Sequence, residues 1–194
     1  NNEPDLTTSV SFADASQSRD VAGLIKAGSG TMALNAASVY SGATLVAEGT
    51  LLVNNTSGSA TGSGDVTVNS GAALGGTGAI VTENLTLNSG ATLRVTVTDV
   101  DAGEFFKASV TAGGSVNLAG AMLEIDDSAV PDNDKSITII DNQSGSAVTG
   151  AFSGYPQGSI ITAASNKWLI TYTGGDGDDV ALIPVPPGTV VIVF

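Results

Sequence analysis

Val66–Leu74 reads VTVNSGAAL, and Leu85–Leu93 reads LTLNSGATL; the second starts 19 residues after the first. In each, alternating apolar and small polar residues run into Asn-Ser-Gly and then resume. Leu85 and Leu87 point to one side, Asn88-Ser89-Gly90 changes direction, and Leu93 returns to the same side. Asn and Gly tolerate left-handed backbone angles, so they suit a corner. A unit of this kind cannot bury its own apolar side, but stacking one unit on the next makes a continuous core. A looser copy, SVNLAGAML, starts at Ser115 and leaves room for one inserted excursion. A period near 19–20 residues predicts an all-β chain folded as a parallel β-solenoid of roughly six or seven coils, a rod about 30 Å long. The alternative is a β-sandwich of hairpins, since evenly spaced short strands also read that way. A sandwich, however, does not require successive units to resemble one another.

Composition narrows the function. Charged residues are only 13 % of the chain while 42 % are hydrophobic, the reverse of what disorder needs. The net charge of −13 has the wrong sign for a nucleic-acid backbone, so that partner class is set aside. With no Cys there is no disulfide framework and no thiolate metal site; with no His there is no imidazole base. The first residue is Asn1, which reads as a mature or trimmed product. The longest apolar stretch, Val180 to Phe194, is broken by prolines and too short for a transmembrane helix.

Two regions interrupt the repeat. TDVDAGEFFKASVTAGG brings Phe105 and Phe106 together beside acids, as a loop over the coil or a wider coil. Beyond DDSAVPDNDKSITII the strands lengthen, and KWLITYTGGDGDDVALI reads as an antiparallel hairpin. Trp168, Ile170 and Tyr172 share one of its faces and suit a lid that protects the end of the stack from further pairing. SRDVAGLIKAG is the single stretch with helical spacing, and it also fits a strand and turn. Near the start, Leu6, Val10 and Phe12 alternate in an edge strand or arm that could receive another strand. The expected organisation is an N-terminal strand or arm over residues 1–14, a solenoid over 15–127, a small antiparallel cap over 128–183, and a Pro-rich spacer with a docking strand over 184–194.

The stretch SVYSGATLVAEGTLLVNNTSGSATGSGDVTVNSGAALGGTGAI, Ser38 to Ile80, resembles the passenger-associated transport repeat of bacterial autotransporters and related surface proteins. Its YSGATLVAEGTLLV is similar to the family's Tyr-Ser-Gly-Gly-Thr-Thr, turn, Gly-Thr-Leu run, with Ala43 where a second Gly is common. The resemblance implies a secreted or surface-exposed right-handed β-helix and does not imply an enzyme. The end of the chain, WLITYTGGDGDDVALIPVPPGTVVIVF, is similar to the region before a Pro-Glu-Pro type sorting signal in large bacterial surface proteins. Here VPPG stands without the Glu, and no basic cluster follows.

Groups that could carry chemistry are few. Glu124, Asp126 and Asp127 cluster after one strand, and Asp99, Asp101 and Glu104 line the inserted stretch. Paired carboxylates could serve glycoside hydrolysis, but with so few Arg and aromatic residues to build a groove they read as a solvated acidic edge. Asp176, Asp178 and Asp179 in GGDGDD offer oxygen ligands on a glycine turn, the chemistry of a weak calcium site or of a plain turn. PDNDK at Pro131–Lys135 is a similar acidic turn.

The closing PPGTVVIVF is apolar on both faces: Val190, Ile192 and Phe194 point one way, Val191 and Val193 the other. Such a strand closes its own domain, is the remainder of a sorting signal, or completes the sheet of a neighbour. The proline-rich spacer before it suits the last of these. Head-to-tail contact between copies does not close on itself and gives a filament. The expected function is therefore structural: a secreted, extracellular or cell-surface fibre subunit whose partners are copies of itself. The second reading is an adhesive module for surface glycans, and the third a polysaccharide-acting enzyme.

Overall fold

A computed structural model describes residues 22–118, 120–128 and 134–186, together with the backbone of Leu6–Thr8. Val10, Phe12 and Val190–Phe194 lie outside the described residues. No helix occurs among the described residues. The strands run β1 (Leu6–Thr8), β2 (Leu24–Lys26), β3 (Thr31–Leu34), β4 (Thr44–Val46), β5 (Thr50–Val53), β6 (Val66–Val68), β7 (Ala73–Gly76) and β8 (Ala79–Leu87). They continue with β9 (Thr92–Asp99), β10 (Glu104–Phe105), β11 (Lys107–Asn117), β12 (Met122–Asp126), β13 (Ile137–Asn142), β14 (Ile160–Thr162), β15 (Lys167–Gly174) and β16 (Asp179–Pro184).

The strands of the repeat separate into two parallel ladders. One sheet is ordered β1-β3-β5-β7-β9, with β12 also on β9; the other runs β2-β4-β6-β8-β11-β13 before its direction changes. This is a parallel β-solenoid, and Val66 pairs with Leu85 as the repeated stretches require. The turn signals sit at the corner: Ala72 and Ala91 donate to the carbonyls of Asn69 and Asn88, closing equivalent turns one coil apart. Gly71 and Gly90 both have φ of 80° there, which a Cβ would strain. Asn88 Nδ2 donates to Asn69 Oδ1 at 3.3 Å, so the corner side chains stack as well.

Inside, each inward position meets its equivalent in the coils above and below. Leu51, Leu74 and Leu93 form one column, and Val46, Val68 and Leu87 another, all fully buried. Burial of each such side chain contributes roughly 1.5–3 kcal/mol, which is what holds coils of this low charge together. The first half of β8 pairs with the first half of β11, which pairs in turn with β13, adding a third wall to the later coils. Ile80, Ala108 and Ile140 line it.

The inserted stretch is a hairpin: β10 turns back antiparallel on β9. It lengthens the coil, so that Asn84 meets Ser115 31 residues later rather than 19. Phe106 is fully buried and Phe105 nearly so; both rings serve the core, with Lys107 Nζ 4.9 Å over the Phe105 ring. The stretch around Leu24–Lys26 is strand.

The second sheet ends in the cap. β16 pairs antiparallel with β13, β15 with β16, and β14 with β15. Trp168, Ile170, Val180 and Leu182 are fully buried across the last coil. Tyr172 completes the lid with its hydroxyl, which accepts from Phe152 N and donates to Tyr155 O.

Candidate functional site

The cap is fastened to the solenoid through Asp127, the residue after β12. It is fully buried. Its Oδ1 accepts from Ser165 N at 2.8 Å, and its Oδ2 accepts from Asn166 N at 3.0 Å, Asn166 Nδ2 at 2.9 Å and Trp168 Nε1 at 2.9 Å. Burial pushes this carboxyl up, but the hydrogen bonds outweigh it and hold the pKa below the ordinary aspartate value. Reading Asp127 as part of a solvated acidic edge is therefore corrected. Its partners lie about 40 residues away in sequence, and only the folded cap brings them near.

The other acids after β12 are used locally. Glu124 Oε2 meets Arg94 Nε at 2.8 Å on the outer face, and Asp126 Oδ1 accepts from Ser128 N and Oγ. In the inserted hairpin, Asp99 accepts from Ala102 N, Asp101 pairs with Lys135, and Glu104 accepts from Thr98 Oγ1. Exposed pairs of this sort contribute little to stability.

The turn between β15 and β16 does bring Asp176, Asp178 and Asp179 together, one carboxylate oxygen from each lying within 4.8 Å of the others. Asp179 is buried and accepts from Asn142 N at 2.8 Å, which also ties the turn to β13. Asp178 Oδ1 is shielded from solvent without a hydrogen-bond partner among the described residues. The pKa of Asp178 is raised, first by its contact with Asp176 and then by burial and the neighbouring carboxylates. That of Asp179 is raised chiefly by burial. Crowded carboxylate oxygens on a glycine-rich turn are a ligand set able to coordinate a hard cation such as calcium.

A lateral cleft of about 500 Å³ opens between Asn54–Gly58, Thr77–Ala79 and the inserted hairpin. Thr56, Ser57, Thr77 and Lys107 face it, and the lining residues include no aromatic ring. The two Asn side chains there are committed to the fold: Asn54 Nδ2 donates to Asn35 Oδ1, and Asn55 Oδ1 accepts from Ala79 N.

In the first rung of the second sheet Lys26 takes an inward position, two residues after Leu24, and the apolar pattern does not single it out. It is buried, and its Nζ donates to the carbonyls of Ala27, Gly28 and Glu48 at 2.9, 2.7 and 3.1 Å. The signal was a basic residue standing where the later coils carry Val46, Val68 and Leu87.

Residues 24–53 match the passenger-associated-transport-repeat family. That segment is β2 to β5, two successive rungs of each ladder, and it overlaps the stretch whose resemblance the sequence displays from Ser38 onward. No curated protein and no solved structure matches the chain. No described helix is long and apolar enough to cross a membrane.

Proposed function

We propose that the chain is a structural segment of a bacterial extracellular or cell-surface protein, working by backbone pairing and apolar burial rather than by chemistry. The observation that carries this reading is the pair of parallel ladders, β1-β3-β5-β7-β9-β12 and β2-β4-β6-β8-β11-β13, whose inward columns are almost entirely apolar. The repeat-family match over two of its coils supports a surface setting. A ladder of this kind is also open to further pairing at its ends, which is the basis of self-assembly.

In its finer form the reading is a fibre subunit, joined head-to-tail by docking of Val190–Phe194 as a strand on the next copy. Deletion of Gly188–Phe194 tests it. Electron microscopy and light scattering of the full chain are expected to reveal elongated assemblies that the shortened chain does not form. Monomers before and after deletion would sink the fibre reading.

The second reading, a glycan-binding surface module, draws on the polar lateral cleft. The lack of an aromatic ring there, on which a sugar face would stack, places it behind the structural one. Saturable binding on a glycan array, lost in Lys107→Ala with Thr77→Val, would reverse that order.

A further inference from the structure

The solenoid ends unevenly. Its second sheet is sealed by β16, β15 and β14, but its first sheet stops at β12. The chain begins to lay down one more rung over the last coil. Thr149 bridges Asn117, Leu118 N donates to Thr149 O, and Ser153 N donates to Ala121 O. It then turns away where Phe152 bridges Tyr155, so nothing among the described residues pairs with the five residues of β12 on that side.

The consequences appear in the backbone and in the core. Met122 N donates to Ala91 O, so in a parallel ladder Met122, Glu124 and Asp126 turn toward β9, and Leu123 and Ile125 direct N–H and C=O outward. The inward column Leu34, Val53, Val95 is fully buried or nearly so, whereas Ile125 at its end is only partly covered. Among the described residues, this edge lacks one strand and one layer of apolar cover.

The described chain also leaves beside this edge. Val185 N donates to Lys167 O, and Lys167 lies between Asn166 and Trp168, both of which hold Asp127 at the end of β12. Residues 187–194 follow, and Val190–Phe194 is as long as β12 and apolar on both faces. Val185 and Pro186 each precede a proline, which disfavours a helical turn, and Pro186 and Pro187 fix φ near −65°. These preferences act against an immediate turn back onto its own edge.

We infer that the free edge of β12 is the acceptor for a strand formed by Val190–Phe194 of a second copy, with Val190, Ile192 and Phe194 covering Ile125 and Leu123. The inference rests on the strand-docking reading above and supplies its missing half, the receiving surface. It moves that surface from the N-terminal Leu6, Val10 and Phe12 to the cap end of the first sheet.

The chain has no cysteine, so single substitutions report cleanly. One batch carries Glu124→Cys and the other Val191→Cys or Val193→Cys, positions that alternation puts on the same outward face. On mixing and mild oxidation, a disulfide between the two batches is expected. Adding Ile125→Pro to the first batch, which removes an outward N–H that an edge strand can spare, should reduce that disulfide several-fold with an unchanged circular dichroism spectrum. Intramolecular linkage alone, in a chain carrying both cysteines, would overturn supply by a second copy. No linkage in any pairing would overturn the edge as acceptor. For the chain carrying both cysteines, cross-linked material that stops at a closed dimer rather than a ladder of higher oligomers would keep this acceptor while removing the filament reading.

Discussion

Trp168 donates its indole N–H to Asp127 Oδ2 at 2.9 Å, joining the first hairpin strand of the cap to the residue that ends the last rung of the first sheet. Both side chains are fully buried, and the cap is thereby keyed to one position on the coil. Removing the carboxylate leaves the donors of Ser165, Asn166 and Trp168 without acceptors. Asp127→Ala is expected to cost about 3 kcal/mol or more, since each abandoned buried donor carries a desolvation penalty of roughly 1–3 kcal/mol. Urea unfolding followed through Trp168, the one tryptophan, measures it. A loss under about 1 kcal/mol would mean the cap is held elsewhere.

The same carboxylate sets a pH dependence. Its pKa in the folded protein lies below the usual value, so the unfolded state binds its proton first as acid is added. The stabilisation is fully present above the unfolded pKa of about 3.9 and is lost as pH falls through that value toward the lower folded one. Comparing the parent with Asp127→Asn from pH 7 down to pH 3 should give stability curves that converge as the pH drops. Curves separated by a constant amount would exclude a titrating contribution from Asp127.

At the β15–β16 turn the sign is opposite. The pKa of Asp178 is raised first by its contact with Asp176, and that of Asp179 chiefly by burial, so the cost of holding these carboxylates ionised in the fold is present above the raised values and is relieved as pH falls through them. Asp178→Asn is expected to raise the melting temperature in chelator. Millimolar calcium should raise that of the parent and leave the Asn variant unchanged. Equal calcium responses in the two proteins would show that the turn does not hold the ion.

Glycine positions offer a contrast in cost. A Cβ on Gly76, where φ is 121°, would meet Val53 O at 2.2 Å, and that carbonyl belongs to the adjacent rung. A Cβ on Gly71 meets nothing within 4 Å, leaving only the strain of φ 80°. Gly71→Ala should cost about 1–2 kcal/mol. Gly76→Ala should cost distinctly more, because backbone on both rungs must shift. Equal midpoints in urea would contradict the close approach of these coils.

Lys26→Met keeps the length of the side chain and removes its ammonium group. The carbonyls of Ala27, Gly28 and Glu48 then lose a shared donor, and a destabilisation of about 1–3 kcal/mol is expected by thermal or urea unfolding. An increase in stability would assign Lys26 to the cost of burying a charge at the end of the stack.

Much of the fold is legible in the residues. The Asn-Ser-Gly corners, the alternating apolar positions and their 19-residue return place Val66 beside Leu85 before any coordinate is known, because stacking identical units satisfies backbone and core together. The hairpin of the cap and its aromatic lid follow from the same alternation. The chemistry is less legible. Asp126 and Asp127 are adjacent and alike in sequence, yet one caps an exposed turn and the other anchors a buried joint.

The sequence by itself determined that this chain stacks strands rather than helices and that its core is aliphatic. Period and side-chain polarity are local properties repeated along the chain. Only the tertiary structure decided which acids are buried, where a lysine replaces an apolar side chain, and which of the two sheets has no further strand beyond its last rung among the described residues. Those outcomes depend on residues that are distant in sequence and meet only when the coils and the cap are closed around one another.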